Sequence, residues 1–448
     1  MYKRILFGLI LVMLFSCEKK VSEKRIYNIL KEKERSALKD ELLEDRFQNL
    51  LPKLMDKAEI DMWILISREY NEDPVLKTML PATWLNARRR TIIVFYRNKE
   101  NNTLERLAVA RYDIGKSIKS VWDKEKEPNQ WKALSNLIKE RNPQKIGMNI
   151  SKHFALADGL VKTDYDEFIE NLPKESKQKI VSAEKLAIAW IETRTEKEME
   201  LFKKLVKITH NIIDEAFSNN TIVPGKTTTD DVVWFMRQKV TDLGLETWFH
   251  PTIDVQRNKE ALKSHIESFS KGEKEDVIRK GDLLHCDFGI TYIGLNTDCQ
   301  QHAYVLKDDE TVVPEFLKSA FKKGNRVQDI LTKNMKVEKT GNEILAKSLS
   351  DGKAEGLRPS IYTHPLGKYG HSAGTTIGMW DSQEGVPFNG DYPLQKNTAY
   401  AIELNTTVFI KEWKKDIRIM LEEDGFFGNN TFKYINGRQT QIKAIKTK

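Results

Sequence analysis

The segments LLHCDFGI (283–290) and TDCQQHAYV (297–305) each alternate apolar with polar side chains, and each carries an aspartate on its polar side. Side chains i and i+2 of a strand share a face. His285, Asp287 and Gly289 therefore fall on one face of the first strand, opposite Leu284, Cys286, Phe288 and Ile290. Asp298, Gln300 and His302 share a face of the second. A third segment, DIRIMLE (416–422), sets Ile417, Ile419 and Leu421 against Arg418, Met420 and Glu422. The apolar faces suit packing on helices, and the acids gather on the other side. Carboxylates crowd a partly buried face only when paired or neutralised. A divalent cation neutralises several at once.

Two further positions complete a constellation after residue 280: His371 in YGHSAG (369–374) and Glu403 in AIELN (401–405). Taken singly, each of the five has an ordinary structural reading as a turn former, loop residue or solvent-facing acid. Together, Asp287, Asp298, His371, Glu403 and Glu422 are a hard, oxygen-rich set. Such a set suits Mn, Fe, Co or Zn at a two-metal site better than a cysteine-rich structural zinc. Glu423 follows Glu422 directly, but the alternation puts it with the apolar set, so Glu422 is preferred.

The rest of the 448 residues frame this region. The chain exceeds the size at which one core keeps growing, so two domains are expected. It opens MYKRILFGLILVMLFSC, with a basic start, an apolar run from Ile5 to Phe15, then Ser16 and Cys17. That run is too short to span a bilayer and reads as a signal-peptide core. LFSC resembles a bacterial lipobox. Residues 1–17 are therefore expected to direct export and leave Cys17 as the lipidated anchor of a membrane-bound protein. A charged tether, 18–40, follows. Apolar runs at 60–67, 90–96, 107–112 and 145–151 alternate with helical patterns and predict an α/β domain over 41–185. No Gly-rich phosphate loop follows any of these runs. Over 190–440 the texture changes. Thr193 and Glu196 predict a capping box at the head of a helix, a second helix follows VPGKTTTDD, and strands dominate from 283. Net charge is 73 − 65 = +8, but acids accompany most basic runs and no Lys/Arg stripe interleaves with aromatics, so no nucleic-acid partner is expected.

The order Asp287, ten residues, Asp298, then His371, Glu403 and Glu422, resembles the pita-bread metallopeptidases. That family contains methionine aminopeptidase, aminopeptidase P, prolidase and the metal-free creatinase. The resemblance covers 190–435, and more weakly 40–185, where IGMNISKHFALADGL (146–160) looks like the N-terminal domain of the creatinase, prolidase and aminopeptidase P branch. It implies an α+β fold: a curved antiparallel sheet covered by helices, preceded by a creatinase-like α/β domain. It implies a homodimer with two divalent ions per chain, Mn foremost and Co, Zn or Fe as alternatives. It implies hydrolysis of Xaa-Pro bonds in proline-containing peptides. Asp287 would then hold one metal, Asp298 and Glu422 would bridge both, and His371 would bind the other. Glu403 would bind one metal and act as general base.

Several positions depart from the family pattern. The second aspartate is commonly followed by a Thr-Arg-Thr-like run, here DCQQH, and the ligand glutamate by Pro-Gly, here ELN. The substrate-contacting histidine usually found a few residues after the ligand histidine has no counterpart after His371. His265 is the candidate for an upstream substrate histidine, and His364, seven before His371, for an outer imidazole. His285 is expected to orient a ligand or substrate, or to hydrogen-bond behind the site, and His302 to face it too. The departures keep two other readings open: a peptide-binding module without turnover, and a metal-free creatinase-type hydrolase.

If Asp287 opposes Asp298 across the hairpin, Cys286 opposes Cys299. Two packed thiols are then expected, with a disulfide as the alternative in an exported protein.

Overall fold

The computed structural model describes residues 27–269, 276–429 and 431–446. The readings on residues 1–17 lie outside these residues.

The N-terminal part is built on a six-stranded sheet. Its order is Lys119–Ser120, Thr103–Val109, Arg90–Asn98, Met62–Arg68, Ile146–Met148 and Ile180–Ser182. Strands 62–68, 90–98 and 103–109 pair antiparallel, and the other neighbours are parallel. The middles of the central strands, Met62–Ile66 and Ile92–Phe95, are apolar on both faces because both are covered. Trp63, Leu65, Ile93 and Phe95 pack with Phe47 and Trp190, while Ile64, Ile66, Ile92 and Val94 pack with Trp131, Leu134 and Phe168.

A buried charge cluster joins this part to the next. Glu198 accepts from Arg46 at 2.7 Å and pairs with Arg194 at 3.4 Å and Lys368 at 2.9 Å. Burial pushes the Glu198 carboxyl up, but Arg194, Arg46 and Lys368 outweigh it and hold the group well below the carboxylate range. The Tyr369 hydroxyl donates to the Pro74 carbonyl at 2.7 Å. Lys368 and Tyr369 lie between His364 and His371, so the loop carrying the second imidazole is fastened to the N-terminal part.

Helices Glu196–Ala216, Thr229–Leu243, Glu315–Asn334 and Gly341–Ala354 flank the remaining sheets. The capping box of the first uses Thr195 and Glu198, two residues later than the spacing Thr193–Glu196 predicts. The repeated Thr in ETRTE offers both frames, and Thr193 stays extended as the C-cap of the preceding helix.

Three antiparallel sheets carry the acid-rich strands. The first orders Thr252–Gln256, Leu283–Phe288 and Cys299–Val305, with Lys443–Ile445 added parallel at its edge. The second orders Pro359–Ile361, Leu404–Ile410 and Lys415–Leu421; the third orders His364–Leu366, Thr398–Ala401, Asp424–Gly428 and Thr431–Tyr434. A bridge between Gln300 and Glu422 stitches the first to the chain that links the other two.

The hairpin register differs from expectation. Cys299 pairs with Phe288, Gln300 with Asp287, and Gln301 with Cys286. Its cause is the turn. Ile293 and Gly294 both have positive φ, 52° and 71°, and form a two-residue reversal between the pairs Tyr292–Leu295 and Thr291–Asn296. That turn fixes a pairing sum of 587. Asp287 and Asp298 are thus diagonal neighbours on one face rather than opposite each other. Cys286 and Cys299 are likewise diagonal, both free thiols buried in the helix-facing core.

Candidate metal centre

Four carboxylates converge where the sheets meet. Asp298 is 3% exposed, Glu403 9% and Glu422 1%, and Asp287 is partly buried beside them. Burial pushes all four acids above the usual carboxylate range. For Asp298 the charges of Asp287 and then Glu403 add to it; for Glu422 those of Asp298 and then Glu403 do. A group of this kind folds only with protons or cations among the carboxylates.

Glu403 falls between the strands Thr398–Ala401 and Leu404–Ile410 and lines the cavity with the other acids. Glu422 follows the last residue of Lys415–Leu421 and shares the face of Arg418 and Met420 expected from alternation. Glu423 turns the other way. It receives hydrogen bonds from Gln301 Nε2 at 3.0 Å and the Gln439 amide at 2.9 Å, and faces His210 Nε2 at 2.6 Å.

The two imidazoles after residue 360 both stand beside the acids. His364 opens the strand His364–Leu366 and is buried. Its Nε2 lies 3.5 Å from Glu422 Oε1 and 3.7 Å from Asp298 Oδ2. Its Nδ1–H donates to the Pro365 carbonyl at 3.1 Å, which leaves the Nε2 lone pair toward the acids. Burial, then neighbouring His371, lowers its pKa to about 3, so it is the neutral ring a metal requires. His371 is exposed at the rim, edge-on to His364 at 4.7 Å and to Trp248 at 5.3 Å. The structure thus brings His364 as well as His371 to the acids. Sequence alternation gave no sign of this. It depends on the pairing of His364 with Ala401, 37 residues on.

Ligating atoms of Asp287, Asp298 and Glu422 cluster within 4.8 Å, as do those of His364, Glu403 and Glu422, and of Asp298, His364 and His371. Asp287 Oδ1, Asp298 Oδ1, His364 Nε2 and Glu422 Oε1 are buried and find no hydrogen-bond partner among the described residues. Unpartnered oxygens and a neutral imidazole nitrogen pointing into one space fit divalent cations.

The other expected residues divide. His265, on the short helix His265–Phe269, stacks on Trp380 at 5.4 Å and 8°. Burial and then the Arg418 charge lower its pKa to about 4. It lines a cavity of about 420 Å³ with Trp248, Phe249, Phe269, Tyr362 and Trp380, floored by the acids. Sequence reading missed these aromatic walls, which come from distant segments. His285 is fully buried behind the acids, with Nε2 on Gln300 Oε1 at 2.9 Å. His302 does not reach the centre. The Met420 amide donates to its Nε2 at 3.0 Å and its Nδ1–H donates to the Leu284 carbonyl at 2.9 Å, so the ring ties three strands together.

The sequence profile described as Metallopeptidase family M24 matches residues 200–424. Among solved structures, an X-Pro aminopeptidase from Thermotoga maritima MSB8 superposes with a TM-score of 0.61 at 15% identity, over 88% of this chain and 100% of that one. An Xaa-Pro dipeptidase from Bacillus anthracis gives 0.56 at 16%, over 92% and 100%. The N-terminal domain of a FACT complex subunit from Cicer arietinum (chickpea) gives 0.52 at 11%, over 94% and 99%. No curated protein matches the sequence. At these identities the likenesses establish the α+β fold and leave the chemistry to the site.

Proposed function

Because this chain belongs to metallopeptidase family M24, we propose that it is an exopeptidase that hydrolyses Xaa-Pro bonds with two divalent cations, manganese foremost. The observation that carries this reading is the set of buried, unpartnered atoms on Asp287, Asp298, His364 and Glu422. Asp287, Asp298, His364, Glu403 and Glu422 would hold the cations. Bound there, divalent ions lower the pKa of water and polarise a carbonyl.

The chain's own groups supply the rest. Glu403 Oε1 is held by Gln300 Nε2 at 2.9 Å, which leaves the other oxygen to accept a proton from water and return it to the leaving nitrogen. His371 at the rim is placed to hydrogen-bond the peptide beside the scissile bond. His265 stays neutral at neutral pH and offers a donor and an acceptor to the peptide backbone. The walls of Trp248, Phe249, Phe269, Tyr362 and Trp380 suit a flat apolar ring such as proline and exclude water from it. Export with a lipid on Cys17, and a homodimer, belong to the same proposal.

The test uses residues 18–448, which leave out Cys17. Elemental analysis should find two transition-metal ions per chain, and proline-containing dipeptides and tripeptides should be cleaved at the Xaa-Pro bond. A chain that binds these peptides without cleaving them, metal present, would overturn the exopeptidase reading in favour of a binding module.

A further inference from the structure

Where relatives of the resembled family carry a Thr-Arg-Thr-like run, this chain carries DCQQH, and the first glutamine of that run occupies a place of consequence. Gln300 is 1% exposed. Its Nε2 donates to Glu403 Oε1 at 2.9 Å and to Glu422 Oε2 at 2.8 Å, one N–H to each carboxylate. Its backbone is bonded to that of Glu422 in both directions, N to O at 2.9 Å and O to N at 3.3 Å. Two carboxylates on one side of an amide fix which end is nitrogen, because the oxygen would be repelled there. The amide oxygen therefore faces His285 Nε2, at 2.9 Å, and that ring nitrogen must be the donor.

We infer that Gln300, oriented by His285, is a positioning residue that holds the outer oxygens of Glu403 and Glu422 so that their remaining oxygens face the metal space. The pattern of satisfied and unsatisfied atoms supports this. Glu422 Oε2, on Gln300, is bonded; Glu422 Oε1, on the side of His364, has no partner. Without the amide, each carboxylate is free to rotate about its terminal torsion, and the ligand geometry must be re-formed whenever an ion binds. A neutral side chain suits this position because it donates to both acids without adding charge, whereas a cation there would compete with the metals. The inference rests on the reading of this site as a metal centre.

The experiment titrates Mn²⁺ calorimetrically into the metal-stripped full soluble chain, for wild type, Gln300→Leu, His285→Phe and the double variant. Gln300→Leu should bind Mn²⁺ about 10- to 100-fold more weakly, the usual effect of losing a partner that orients metal ligands. His285→Phe should weaken it less. In the double variant, His285→Phe should cause no further loss, because the ring acts only through the amide. Gln300→Asn keeps polarity but falls a methylene short of both acids; it should behave as Gln300→Leu and serves if that variant does not fold. Purely structural roles give independent, additive losses, and that result would overturn the relay. Wild-type affinity in Gln300→Leu or Gln300→Asn would overturn the positioning role while leaving the metallopeptidase reading intact. A wild-type chain that binds no Mn²⁺, Co²⁺ or Zn²⁺ overturns both.

Discussion

The Nε2 atom of His364 stands 3.5 Å from Oε1 of Glu422, and both atoms are buried with no hydrogen-bond partner among the described residues. A neutral imidazole nitrogen and a carboxylate oxygen at this separation, each with a free lone pair, suit the shared cation of the proposed site. His364→Ala should therefore lose at least one of the two ions expected per chain, read by elemental analysis after dialysis. His371, at the rim, should behave differently. His371→Ala should keep both ions while turnover of an Xaa-Pro peptide falls by roughly 100-fold or more, in the range of a lost proton-transfer or orienting group. Loss of metal in His371→Ala with retention in His364→Ala would reverse the assignment.

Glu422 and Glu423 are sequence neighbours with opposite expected behaviour. Glu422→Gln removes one of four crowded acids, so the metal-free chain should be no less stable than wild type, yet metal stoichiometry should fall. Glu423→Gln should leave metal content unchanged. Its amide cannot accept from Gln301, Gln439 and His210 together, so stability should drop by about 1–3 kcal/mol. Chemical denaturation and elemental analysis on the same two variants separate these outcomes; the same sign of stability change in both would contradict the division of faces.

How far the sequence reaches can be seen from these residues. Alternation of period two was enough to put Asp287, Asp298, Gln300 and Glu422 on one side and Glu423 on the other, because strand geometry is local. It also located the central strands of the N-terminal sheet, whose apolar runs follow from burial on both faces. The hairpin register was not readable. Asn-Gly or Asp-Gly marks a two-residue turn with positive φ at both positions, and here β-branched Ile293 takes the first. The approach of His364 to the acids was not readable either. His364 reaches the acids through pairing with Ala401 and His371 hangs on a loop fastened by Lys368 and Tyr369, both long-range relationships. The aromatic walls come from two separate segments, 248–269 and 362–380, and no periodicity records that.

The cysteines give a simple check on the hairpin. Cys286 and Cys299 are free, buried among helix-facing apolar groups, and burial pushes both thiols up. In the chain with Cys17 replaced, an alkylating reagent should add nothing to the native protein within minutes and two groups after unfolding without reductant, measured by mass. An unfolded chain that takes none would show a disulfide and would require a different register.

Glu192 provides a test away from the metal centre. It is 1% exposed; among the described residues Oε2 finds no hydrogen-bond partner, and Oε1 accepts from the Tyr392 hydroxyl at 3.5 Å. Burial pushes its pKa from 4.5 to about 8, against smaller opposing contributions from Lys57, Tyr392 and Arg194. The raised value belongs to the folded chain, so between these two pH values the fold holds a proton that the unfolded chain has released. Unfolding then releases a proton, and stability falls as pH rises through this window, levelling off above about 8. Glu192→Gln removes the titration while keeping the shape. The variant should match wild type near pH 4.5 and gain on it steadily, by roughly 3–5 kcal/mol at pH 8 and above. Differential scanning calorimetry of both proteins across pH 5 to 8, with metal removed, measures the gap in Tm. A gap that does not widen with pH would mean that Glu192 is already ionised in the fold, and that Lys57 or Arg194 outweighs its burial.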